Sequence, residues 1–373
     1  MITIDEVRAA LRGVADPCAI ATGAPVDIVD MGLIQGIDVT AGAVTVTLRL
    51  TSPFCMQIGL MSEQIGKALR RLPRRRGCAG GGRSPRRVDA GDDGPASPGA
   101  AQADPPPGLG GAMSFDPDIV PDYASLLRLD GRTVVVLGAG AGMGRQSAHA
   151  LAQLGGRVAC VDRDEELARQ VASEIGGMPI AADVTDRGEM ERVFERAGTL
   201  GPVTGLVDVV GIATIKPVRD FSDADWDRQF DLTVRHAFLA VQVGGRAIAE
   251  AGGGSMVFVG STSGHTHAHG QAVYGAAKAA LHRLVSSAAH EYGPQRVRAN
   301  VLAPGFTRTP RLNRLLTESQ WEEVGAGIPR GRAGTPAEIA AAVLFLISDL
   351  SSYVNGQVVT ADGGMTGAIR VPL

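Results

Sequence analysis

The sequence predicts an α/β protein built on a doubly wound parallel sheet and preceded by a small α+β domain. Three observations predict it. From about Leu126 onward, short continuous apolar, β-rich runs alternate with helical stretches, as expected of strands covered by crossover helices. The first of these runs leads directly into a glycine-rich turn, Gly138 to Gly144. A composition break near Pro73 then divides a chain that, at 373 residues, is longer than one domain needs.

Taken in order, residues 1–72 predict a helix over Ile4–Arg12, strands around Gly32–Val39 and Ala43–Leu50, and a helix over Gln57–Leu72. Asp16-Pro17, the run Ile28 to Ile34 and Thr51-Ser52-Pro53-Phe54-Cys55 resemble the small domain of iron-sulfur cluster assembly and oxygenase maturation factors. That resemblance makes Cys55 a reactive or cluster-handling thiol at a helix N-terminus. Cys18 departs from the acidic residue that usually follows Asp-Pro, and the strand expected after Leu72 is missing. Residues 73–112, rich in Gly, Arg, Pro, Ala and Asp, carry no apolar period and read as a disordered linker. The basic stretch Arg70 to Arg87 lacks interleaved aromatics, so nucleic-acid binding is not expected.

Residues 113–373 form the larger domain. Thr133-Val134-Val135-Val136-Leu137 is a strand, Gly138-Ala139-Gly140-Ala141-Gly142-Met143-Gly144 a tight turn, and Arg145 to Leu151 a helix. Strand, glycine turn and helix in this order bring backbone N–H groups and a helix N-terminus to a pyrophosphate, the context of a dinucleotide fingerprint. The next strand, Arg157 to Val161, ends at Asp162, eighteen residues after Gly144. A carboxylate there accepts from adenosine ribose hydroxyls and repels a 2′-phosphate, which selects NAD over NADP, although Arg163 beside it could face a phosphate. The fourth strand runs from Gly205 to Gly211, and Met256 to Val259 is a fifth, with Ser261 just beyond its C-terminal end.

Tyr274 and Lys278 lie four residues apart, thirteen and more after Ser261, and on a helix they share one face. A phenol with an ordinary pKa of about 10 is a poor base at neutral pH. A cation roughly 4 Å away, at an effective dielectric of about 20, favours its anion by on the order of 4 kcal/mol. The chain has only three lysines, Lys67, Lys216 and Lys278, amid many arginines, so the compact charge at 278 stands out.

On these motifs, residues of about 126 to 373 resemble a classical short-chain dehydrogenase/reductase with a Rossmann fold. The resemblance implies an NAD cofactor held by Gly138, Gly142, Met143, Gly144, Asp162, Arg163, Asp183, Val184, Gly211, Tyr274, Lys278, Pro304, Gly305, Thr307 and Thr309. It implies Ser261, Tyr274 and Lys278 as catalytic residues, with Thr233 where the family carries the asparagine that holds a proton-relay water. Asp208-Val209-Val210-Gly211 replaces the family's Asn-Asn-Ala-Gly and keeps only the glycine; Leu137 replaces a usual threonine. Pro310 to Arg330 is the expected substrate lid. His265, His267 and His269 read as a polar loop at the pocket mouth, and no metal is expected. Thr335 and Pro336 predict a helix start, followed by a last strand after Asn355, and the resemblance makes a homotetramer the default assembly.

The expected activity is interconversion of a secondary alcohol and a ketone by hydride transfer, with Tyr274 as general acid/base and a small, moderately apolar substrate. The competing reading is a maturation or scaffold protein whose dehydrogenase-like part is not catalytic. A net charge of -3 gives no global pull toward nucleic acid or an anionic membrane, and no 18-residue apolar stretch or secretory leader is present. A cytoplasmic bacterial protein is expected. Cys18, Cys55, Cys78 and Cys160 show neither disulfide nor zinc spacing.

Overall fold

The computed structural model describes residues 2–14, 26–40, 43–48, 58–72, 87–90 and 119–367. The chain divides into two compact units, with the boundary at residues 102 and 103. Cys18, Cys55 and Cys78 lie outside the described residues.

In the first unit, Thr3 caps the helix Ile4–Leu11 through a reciprocal capping box with Glu6. Strands β1 (Ile34–Thr40) and β2 (Ala43–Leu48) pair antiparallel, and the helix Ile58–Arg70 follows. Val7, Leu11, Val44, Val46, Leu48, Met61, Ile65 and Leu69 are buried together, so both helices cover one face of the hairpin. The strand read as missing is present: β3 (Arg87–Ala90) adds in parallel to β2, inside the segment read as linker. Four residues of Arg-Val-Asp-Ala carry too little apolar period to show as a strand; ladder pairing with β2 defines it.

The second unit is a seven-stranded parallel sheet. Its strands are β4 (Thr133–Leu137), β5 (Arg157–Asp162), β6 (Met178–Ala181), β7 (Val203–Asp208), β8 (Gly254–Val259), β9 (Val297–Pro304) and β10 (Val358–Ala361). The spatial order β10-β9-β8-β7-β4-β5-β6 places a topological switch between β4 and β7. At such a point consecutive crossovers leave in opposite directions and open a crevice at the strands' C-terminal ends. Val134, Val135, Val136 and Leu137 are all buried, because helices cover both faces. One core holds Leu206, Phe258 and Val301 against the long helix Ala272–Tyr292; the other holds Val136, Val207 and Val257 against Pro336–Ile347.

Local signals fix the crossover helices. Asp164, Asp186, Ser222 and Thr335 each accept a hydrogen bond from a first-turn amide. Thr335 also forms the capping box with Glu338, and Pro336 follows it at the first helical position, as expected. The helical run after β7 is interrupted by two π-helical turns, Asp231–Arg235 and Ala240–Gly244, a geometry that residue periodicity does not announce. Arg298 on β9 donates to Leu346 O at 3.0 Å and Ser348 O at 2.9 Å, tying the last helix's end to the sheet.

Candidate active site

The glycine turn lies where β4 meets the switch point. Gly138 and Gly142 have φ of 81° and 56°, a region open to glycine and strained for other residues. Gly144 is needed for a different reason: a Cβ there would lie 2.0 Å from the Gly138 carbonyl oxygen. The helix Gly142–Gln153 starts after Ala141, which offers no side-chain cap, so its leading amides are left for another acceptor. Met143 is half-buried against the core beneath this turn.

Asp162 ends β5 as expected. Its Oδ2 accepts from Gly140 N at 2.9 Å and its Oδ1 from Asp164 N at 3.0 Å, so the carboxylate faces the turn. Arg163 is exposed beside it. Asp183 accepts from Thr185 N and Thr185 Oγ1 at 3.0 and 2.6 Å; these bonds hold its carboxyl below the usual range, and Val184 beside it is buried. Uncapped amides, glycine backbone and a ribose-level carboxylate suit a dinucleotide at this edge of the sheet.

Ser261 follows β8. Its Oγ accepts from Ser263 N at 3.1 Å, and it stands close enough to Tyr274 to favour the phenolate. Tyr274 and Lys278 share one face of the Ala272–Tyr292 helix, with Lys278 Nζ 5.8 Å from the phenol ring centroid. Nζ donates to Val259 O at 2.7 Å, and a Cβ at Gly211 would lie only 3.1 Å from it. Gly211 is therefore the residue that makes room for the ammonium.

The electrostatics correct one expectation. Desolvation pushes the Tyr274 phenol above its ordinary range, opposed by the nearby Ser261 hydroxyl. The lowering expected from Lys278 does not prevail, because the phenol's own desolvation outweighs it; the lysine is likewise pulled down to about 8 by desolvation, with the Asp208 charge opposing. One turn further on, His282 is held down at about 4 by burial, then by the charges of Lys278 and His265. Its Nε2 accepts from Ser261 N at 3.5 Å, so a neutral ring backs the serine loop.

Thr233 is fully buried in the first π turn, and its Oγ1 accepts from Gln229 Nε2 at 3.0 Å. Gln229 also donates to Ile212 O and accepts from Thr214 N, fastening the loop after β7 to the helix. Its role was not legible, since only the fold brings residues 212, 214, 229 and 233 together.

The loop after β9 closes the site. Pro304 ends that strand; a Cβ at Gly305 would lie 2.7 Å from Asp362 Cβ. Thr307 is buried and donates to Gly305 O. The Thr309 hydroxyl caps the helix Pro310–Leu315, and Thr309 and Pro310 pack against Gly142, so this loop reaches the glycine turn. The segment expected to be a lid continues in the helix Glu318–Ala326. His265 stands 5.9 Å from the His282 ring, and among the described residues no group of three metal-ligating side chains gathers. Burial pushes the Cys160 thiol up to about 12, which leaves it inert. No helix among the described residues is long and apolar enough to cross a membrane.

Residues 138–366 match the family profile described as enoyl-(acyl carrier protein) reductase, and residues 4–79 match the one described as iron-sulfur cluster assembly protein. Galactitol 2-dehydrogenase (L-tagatose-forming) of Cereibacter sphaeroides is 37% identical over 251 residues, 66% of this chain and 99% of that protein. Cyclopentanol dehydrogenase of Comamonas testosteroni is 34% identical, over 64% of this chain and 98% of its own length. A 7α-hydroxysteroid dehydrogenase solved with NADH and 7-oxo glycochenodeoxycholic acid superposes with a TM-score of 0.62 at 33% identity, covering 65% of this chain and 96% of that one. With the seven-stranded sheet, the glycine turn and the Ser261, Tyr274 and Lys278 cluster, these matches establish that the chain belongs to the short-chain dehydrogenase/reductase family of nicotinamide-dependent alcohol and ketone oxidoreductases, with an iron-sulfur-assembly-type domain at its N-terminal end.

Proposed function

We propose that the protein is an NAD-dependent dehydrogenase that interconverts a secondary alcohol and a ketone, with Tyr274 as general acid/base. The observation that carries this reading is the convergence of Ser261, Tyr274 and buried Lys278, the last two on one helix face. A bound nicotinamide supplies the hydride acceptor or donor. The protein's own groups manage the proton. Ser261 Oγ orients the substrate oxygen, and Tyr274 takes its proton on oxidation and returns it on reduction. Lys278 supports the phenolate, and the closed loop from Pro304 to Thr309 keeps water from the reacting carbon.

Asp162 supports NAD as the cofactor, since its carboxylate is fixed by two backbone amides where a 2′-phosphate would have to lie. Replacing Asp162 with Ala is expected to raise the relative kcat/KM for NADP by about tenfold or more, because a repulsive charge worth roughly 1.4 kcal/mol or more is lost. Steady-state kinetics with both cofactors reads it, and equal preference in the unaltered protein shows that Arg163 already outweighs the carboxylate.

Ile212, Ile215 and Phe306 expose apolar surface on the loops after β7 and β9, as does Leu315 on the first lid helix. This supports a moderately apolar substrate, closer to the cyclic alcohol named for the Comamonas relative than to a polyol. A panel of cyclic, linear and polyhydroxylated secondary alcohols with NAD tests the function: reduced nicotinamide should accumulate fastest with the apolar members. No accumulation with any member contradicts the assignment.

A further inference from the structure

Three buried ionisable groups lie around the end of β7, and the reaction described above uses only one. Asp208 and His236 are 2 % and 0 % exposed, and His236 Nε2 lies 3.0 Å from Asp208 Oδ2. Asp208 Oδ1 accepts from Val210 N at 3.0 Å, and His236 Nε2 lies 3.3 Å from the same oxygen. Lys278 is the third group. Asp208 is in register with Phe258 on β8, and Lys278 Nζ binds the carbonyl of the next residue, Val259. Gly211, three residues after Asp208, borders the same ammonium.

The protonation states follow from what lacks a partner. His236 Nδ1 and Asp208 Oδ2 are both buried with no hydrogen-bond partner. A doubly protonated ring would bury an N–H there with no acceptor, a loss of about 1–3 kcal/mol. The contact with the carboxylate is therefore made through Nε2 alone. The carboxylate thus keeps one buried oxygen without a hydrogen-bond donor, and a buried carboxylate needs a cation. Around Lys278 stand Tyr274 and His282 on its own helix, one turn before and one turn after, the second held neutral; Asp208 lies on β7 and His236 on the helix beyond Thr233.

We propose that Asp208 is the buried counter-charge of Lys278, and that His236 is the positioning residue that aims its carboxylate. The proposal rests on the reading of Lys278 as the charge that serves Tyr274. It explains how an ammonium this deeply buried stays protonated. Asp208 also opposes the desolvation of Lys278 in direction. Neither residue is catalytic; both act through Lys278.

The test follows protons directly. With only three lysines in the chain, isotope-labelled lysine gives few Cε resonances, and Lys278 is assigned by its loss in Lys278→Met. In the full chain carrying Asp208→Asn, which keeps the side chain's shape, the Lys278 midpoint should fall by about one pH unit or more. His236→Leu, which removes the aiming donor, should lower it by a smaller amount. A midpoint in Asp208→Asn within about 0.3 unit of the unaltered protein overturns the proposal. If Asp208→Asn fails to fold, the unaltered protein suffices: the labelled Asp208 carboxyl carbon should shift as Lys278 titrates and stop doing so in Lys278→Met. No such step also overturns it. Neither readout involves turnover, so failure here leaves the role of Tyr274 untouched, and the reverse holds as well.

Discussion

Tyr274→Phe is expected to lower turnover by about a thousandfold while changing the Kd for NAD by no more than about threefold, because a proton-transfer group contributes roughly 10²–10⁴-fold and the ring's contacts remain. The phenol is half-buried beside Ser261 and the phenylalanine ring fits the same space, so folding should be spared. The pH profile gives a sharper signature. Alcohol oxidation needs the phenolate, whose formation burial postpones to high pH, so the rate should climb with pH. Ketone reduction needs the phenol and should not show that climb. Above about 8 Lys278 begins to lose its proton and with it the support of the phenolate, which bends the oxidation profile over. Tyr274→Phe should erase the ascending limb. Stopped-flow kinetics and fluorescence titration with NADH measure the two halves of this prediction, and a variant that keeps more than roughly a tenth of the rate contradicts the assignment.

Gly144→Val should act on binding. A Cβ at 144 would meet Gly138 O at 2.0 Å, its carbon at 2.8 Å and Val209 Cγ2 at 2.9 Å; the first two are backbone atoms that cannot rotate away. The turn must open, and the cost, about 3 kcal/mol, corresponds to NAD affinity weakened by about a hundredfold with a lower Tm. Gly198→Ala is the control, since a Cβ there meets nothing within 4 Å. It should leave Kd unchanged and Tm equal or slightly raised, because alanine restricts the unfolded chain. A Gly144→Val protein that binds NAD within about threefold of the original would mean that the turn does not cradle the cofactor.

What could be read from the sequence is what local spacing controls. Gly138 to Gly144 after an apolar run, Asp162 at the next strand end and the four-residue step from Tyr274 to Lys278 all sit where expected, since each depends on one turn or one helix face. Long-range partners were not readable. Asp208 and His236 are 28 residues apart in the chain and look like an altered strand end and an ordinary helical histidine until β7 and the following helix pack together. The same holds for Gln229, whose amide spans two loop residues and Thr233. Direction of charge was the other gap. Sequence shows that a lysine neighbours a tyrosine but not how far each is taken out of water, and desolvation raises the tyrosine and lowers the lysine.

The central claim is that this chain's Tyr274 site moves a proton while the carbinol hydrogen passes to NAD. The most direct measurement is mass analysis of the cofactor after incubation with a cyclic secondary alcohol deuterated at its carbinol carbon, run in parallel for the unaltered protein and Tyr274→Phe. The account predicts deuterium in the reduced nicotinamide with the unaltered protein, and almost none over the same period with the variant. Reduced nicotinamide that carries no deuterium, or equal labelling by both proteins, would contradict it.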